Sequence, residues 1–156
     1  MSAESETALP PYAAALGYGG LVPFVGCAIV MLAIPGMDVR HLAGRALLGY
    51  GAVILSFLGG VHWGLVLRGP AARAAGMLAA AVIPSLVGWA TLLLPFETAA
   101  ALQVAAFGGF WLYEHRVLGP RVLPPAYLGL RRWLTLIVCA SIATALMAPS
   151  LAPVVS

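Results

Sequence analysis

Ala46 to Leu67 reads ALLGYGAVILSFLGGVHWGLVL, an unbroken stretch with no formal charge that ends at Arg68. About 20 mostly apolar residues, rising 1.5 Å each as a helix, cross the roughly 30 Å of hydrocarbon in a bilayer. This stretch is therefore read as a membrane-spanning helix. Its surroundings agree. The chain has 156 residues, 62% of them hydrophobic and 8% charged, whereas soluble domains carry roughly 25% charged residues. It lacks the polar groups needed to cover a globule in water, and its apolar residues come in long runs, so lipid is its solvent.

Four further segments meet or approach the spanning length: 12–34, which stops at Pro35-Gly36; 74–94, ahead of Pro95; 98–116; and 133–148. With 46–67 they predict an all-α, polytopic integral membrane helical bundle of about five transmembrane helices. The transmembrane domain covers 12–149, between a short tail at 1–11 and an external tail at 150–156.

All eight basic residues are arginine. Basic loops stay in the cytoplasm. With five spans, one side holds Arg68, Arg73, Arg116, Arg121, Arg131 and Arg132, and the other holds Arg40 and Arg45. The predicted N-terminus is thus cytoplasmic and the C-terminus periplasmic, with anionic lipids of the cytoplasmic face as partners. The absence of lysine beside abundant Ala, Gly, Leu, Val and Pro is the codon bias of a GC-rich bacterial genome, which places the protein in a bacterial cell inner membrane. The first eleven residues hold Glu4 and Glu6 and no base, so the first helix is expected to be an uncleaved signal anchor. No dense basic face suggests nucleic acid. Cys27 and Cys139 lie in apolar runs and are read as packing residues, and no metal or cofactor is expected.

Pro23 and Pro84 fall mid-span and predict kinks whose freed carbonyls find a neighbouring helix or water. Ala52, Ser56, Gly60 and Gly64 recur at spacing four and predict a small-residue packing stripe. His62 lies two residues past Gly60, about 200° around the helix. An imidazole is costly against lipid, so the second helix is expected to be central and enclosed on both faces.

The residues able to do chemistry gather near one end. His62 and Trp63 precede Arg68, and the fourth helix ends in Tyr113-Glu114-His115-Arg116. Thr98 to Tyr113 is short for a full crossing, so either the bilayer thins or Glu114 lies within its inner edge. Four readings stand open for this cluster. One is an interfacial anchor of Trp63, Trp111, Tyr113, Trp133 and snorkelling arginines. Another is a salt bridge from Glu114 to Arg131 or Arg132. The third is a binding site for a quinone- or lipid-like head, and the fourth is a metal or proton-relay site of His62, His115 and Glu114. The last lacks any H-E-x-x-H spacing. Gln103 is read as a helix-to-helix hydrogen bond, and His41, beside Asp38 and Arg40, as a solvated turn residue.

On these residues the chain resembles the transmembrane protein 69 family of small bacterial membrane proteins with mitochondrial relatives. The resemblance runs from about Pro11 to Ala148. It is carried by YGAVILSFLGGVHWGL at Tyr50–Leu65, LGYGGLVPF at Leu16–Phe24 and LRRWLT at Leu130–Thr135, with Glu114 where the family's acidic residue is more often Asp. It implies a membrane bundle and no particular reaction. The function expected is a non-enzymatic structural or accessory inner-membrane protein, with another membrane protein as a partner to consider. The alternative is a binder or carrier of a lipophilic small molecule entered from the cytoplasmic leaflet. A membrane enzyme ranks last, for want of a catalytic constellation.

Overall fold

The computed structural model describes residues 9–68, 74–119 and 123–148. Residues 1–8, Arg73, Arg121 and the tail 150–156 lie outside the described residues, as does the side chain of Arg68. Every element among the described residues is helical, and together they make a five-rod membrane bundle. Three stretches are long and apolar enough to cross a bilayer, Tyr12–Ala33, Met37–Leu67 and Pro125–Leu146, with a shorter apolar helix at Gly76–Thr91.

The first rod is broken where one kinked helix was expected. α1 (Pro11–Gly19) stops and α2 (Val22–Ala33) starts anew, with Pro23 in its first turn. Proline fits there because a first-turn N–H has no intrahelical partner to lose. The interruption frees the Gly20 carbonyl, which accepts a hydrogen bond from the Tyr50 hydroxyl at 3.1 Å. The edge of the Tyr50 ring also meets Phe24, which in turn meets Phe107 edge-on, so the break is keyed into the core.

α3 (Met37–Arg68) is the longest element at 32 residues, or about 48 Å. It begins nine residues before Ala46, because Gly36 turns the chain at φ +135° and Asp38 supplies a negative charge to the first turn. Hydropathy finds the stretch that hydrocarbon tolerates, and a helix can extend past it into the headgroup layer. Arg40, His41 and Arg45 are therefore helical residues, and His41 is not in a turn. α4 (Ala74–Thr91) contains Pro84 internally and ends before a tight turn of i to i−3 bonds through Leu94. α5 (Phe96–Tyr113) continues into one π-helical stretch, Glu114–Leu118. α6 (Pro125–Leu146) begins eight residues before Trp133, with proline in its first turn.

α3 packs chiefly on α4 and also on α2 and α5, while α6 packs on α5, α2 and α1. The stripe of α3 that faces its neighbours is Ala52, Leu55, Gly59 and His62. A Cβ at Gly59 would strike the Ala81 carbonyl of α4, and one at Gly88 of α4 would press on Ala52. These glycines let the two backbones touch. The expected stripe is thus about 100° off: Ala52 is buried, but Ser56, Gly60 and Gly64 are exposed, and a Cβ at Gly60 or Gly64 would meet open space. They share the outward face with Val53, Phe57 and Leu67. α3 is accordingly enclosed on one side and faces lipid on the other.

Candidate functional site

The polar cluster is built where the π stretch, α3 and α6 converge. In a π turn the carbonyl bonds five residues on, and here the Gly119 N–H reaches the Glu114 carbonyl. A Cβ at Gly119 would crowd both that carbonyl and Leu128 of α6, so the turn and the approach of α6 share one glycine. The widened turn leaves Glu114 fully buried. The early start of α6 places Arg131 inside a helix, and the residue is 5% exposed.

Arg131 Nε donates to Glu114 Oε2 at 2.8 Å, and its Nη1 donates to Thr135 Oγ1 at 2.6 Å. Thr135 is one turn further along the same helix face. His62, also fully buried, has Nδ1 3.1 Å from the Leu58 carbonyl. A carbonyl can only accept, so Nδ1 carries hydrogen and Nε2 is turned toward Glu114 Oε1, 3.9 Å away. Neither of those two atoms, nor Arg131 Nη2, has a hydrogen-bond partner among the described residues. Phe110 and Tyr113 wall the imidazole, with ring centres 4.9 and 6.2 Å from it. Tyr127 of α6 is a further polar neighbour of Glu114.

The residues singled out in the sequence divide into two groups. His62, Tyr113, Glu114 and Arg131 are brought together. Trp63 is 46% exposed, and His115 and Arg116 are also exposed. His115 stacks on Trp111 at 5.5 Å, and Arg132 lies over the Trp133 ring at 5.5 Å. In both pairs the cationic or imidazole member is on the outside, and Trp111 itself is half-buried. Among the described residues no three His, Cys, Asp or Glu side chains gather where a metal could sit. Thr135, Phe110 and Tyr127 were not singled out from the sequence. Thr135 could have been, since it stands four residues after Arg131.

A second buried polar set lies toward the other end of the bundle. Gln103 Nε2 donates to the Leu48 carbonyl at 2.8 Å and to Thr91 Oγ1 at 2.9 Å, and the Thr91 hydroxyl donates to the Gly88 carbonyl at 2.7 Å. This set ties α5 to α3 and α4. A groove of about 400 Å³ also runs between α4 and α5 past Ala80, Pro84, Ala105, Gly109, Phe110 and Tyr113.

Comparison with known proteins agrees with a membrane bundle. The sequence model of a family described as "Protein of unknown function (DUF3429)" matches residues 9–147. Transmembrane protein 69 of Xenopus tropicalis is 35% identical over 147 residues, covering 92% of this chain and 57% of that relative. The chain thus spans little more than half the length of the curated relative. No solved structure matches.

Proposed function

Because this chain belongs to the DUF3429 family, we propose that it is a non-enzymatic accessory protein of a bacterial inner membrane, crossing it several times with its N-terminus in the cytoplasm. One observation carries this reading. The only carboxylate among the described buried residues is held by Arg131, the imidazole of His62 stands beside it beyond hydrogen-bond distance, and His115 and Arg116 are turned outward. An ion pair closed off from water fixes how two helices meet, and buried charge used this way specifies an arrangement. The working surface is then the outside of the bundle, where a partner membrane protein would dock.

The test is purification at native expression in mild detergent, followed by mass spectrometry of the subunits that remain. A second membrane protein recovered in fixed ratio supports the reading. Reproducible recovery of this chain by itself overturns it. Alkaline phosphatase fused after Ser156 should be active, and an inactive fusion would reverse the proposed orientation.

A second reading, a carrier of a lipophilic molecule, is favoured by the groove between α4 and α5. Its lining is almost wholly apolar, and it ends on the rings that wall His62. A quinone- or isoprenoid-like compound extracted from the same preparation would support this alternative.

A further inference from the structure

A cavity of about 690 Å³ lies between the first turns of α3 and the α4–α5 turn. His41, Arg45 and Gly49 line it from α3; Leu92, Phe96 and Glu97 line it from the turn and α5. Arg45 and His62 are 17 residues apart on one helix, which places them about 26 Å apart along its axis. The cavity and the buried ion pair therefore sit near opposite faces of a hydrocarbon layer about 30 Å thick. This end of the bundle carries none of the residues assigned above to the polar cluster.

The two arginines of this end are used differently. Arg40 Nε donates to the Ile34 carbonyl at 3.2 Å and so closes the end of α2. Arg45 is exposed and lines the cavity. The ion pairs among the described residues are those of Glu114, so Arg45 and Glu97 both border the cavity without one. A guanidinium matches a phosphate with two parallel N–H bonds, and an imidazole one turn away on the same helix face adds a third donor. Glu97 sets the second requirement. Arg45 and Glu97 set one guanidinium and one carboxylate in the lining, so a purely anionic head gains at Arg45 and is opposed by Glu97. A head with both a phosphate and a primary ammonium satisfies both. Leu92 and Phe96 offer the apolar surface on which the glycerol and upper acyl carbons would lie.

We propose that this cavity binds the head of an amine-bearing phospholipid, with the phosphate on Arg45 and His41 and the ammonium donating to Glu97. The occupant enters from the leaflet on that side. The site rests on the protein's place in a membrane and not on the accessory reading, so either can fail alone.

The test uses the full chain, delipidated in detergent and offered phosphoethanolamine, phosphocholine and phosphoglycerol lipids with identical acyl chains. Retained lipid is read by native mass spectrometry. The wild type should keep the phosphoethanolamine lipid about tenfold better than either competitor, the effect of one charge-assisted contact. Choline fails because its quaternary nitrogen has no N–H to donate. Arg45→Gln should lower retention of the phosphoethanolamine lipid by about tenfold. Glu97→Gln should abolish the preference over phosphoglycerol. Gly49→Leu grows a side chain into open space and should block retention of the phosphoethanolamine lipid with an unchanged melting temperature, which separates occlusion from misfolding. Equal retention of the three heads by the wild type, or undiminished retention by Arg45→Gln, overturns the proposal.

Discussion

Glu114 and Arg131 stand seventeen residues apart in sequence and 2.8 Å apart in the bundle, carboxylate to guanidinium. Taking either charge alone out of water costs several kcal/mol, and the attraction between them offsets that cost only when the geometry is good and the remaining hydrogens are used. Thr135 uses one of them. The pair thus says little about total stability and much about specificity, since α5 and α6 have one arrangement in which neither charge is left unpaired.

Removing one partner should be far worse than removing both. Glu114→Leu alone should destabilise the bundle by about 3–5 kcal/mol, because it strands a buried guanidinium. Glu114→Leu combined with Arg131→Met should recover most of the loss. Unfolding in detergent, run as a double-mutant cycle, measures the coupling. Additive single losses would mean the pair does not act as a unit.

Two adjacent glycines should behave in opposite ways. Gly59→Ala sets a methyl against the Ala81 carbonyl and must push α4 off α3, costing about 1–3 kcal/mol as overpacking does. Gly60→Ala enters open space on the outward face and should be neutral or stabilising by up to about 1 kcal/mol. Thermal melts of the two proteins decide it.

Gly51 and Gln103 should show rescue. A Cβ at Gly51 would collide with the Gln103 amide, so Gly51→Ala should destabilise in the wild-type background. Gln103→Ala alone gives up the bonds to Leu48 and Thr91, worth about 0.6 to 1.7 kcal/mol each by the range for membrane helices. In the double variant the added methyl meets no amide, so the loss should be smaller than the sum of the two. A sum or more than a sum in detergent unfolding would contradict the packing described.

Tyr50→Phe keeps the contact with Phe24 and removes the hydroxyl that serves the Gly20 carbonyl. The expected loss is about 0.6 kcal/mol, at most about 1.7. It should be localised: hydrogen exchange should quicken around the α1–α2 break and not in α6.

Much of this molecule was legible in its apolar runs, which locate every rod because hydrocarbon tolerates nothing else for so long. Two kinds of feature were not. Helix ends were misplaced at Met37 and Pro125 because polar residues at a membrane surface remain helical while hydropathy falls. The rotation of α3 was misjudged because Gly59 and Gly60 are identical in type and differ only in what lies opposite them. His62, Glu114 and Arg131 could be picked out because a polar residue in an apolar run has few uses. That Arg131 and not Arg132 would pair with Glu114 required the true start of α6. The π stretch at Glu114–Leu118 leaves no signal in the sequence.

α3 has a mechanical property that α4, with its mid-span proline, does not share. From Met37 to Arg68 it contains no proline, whereas α4 is interrupted in its hydrogen bonding by Pro84. An unbroken helix moves as a strut, so a tilt or axial shift imposed at Arg45 arrives at His62 on the far side without being absorbed in between. Spin labels at Val53 and Leu67, both outward-facing, would report such a movement as one common displacement relative to a label on α6, with their mutual distance unchanged.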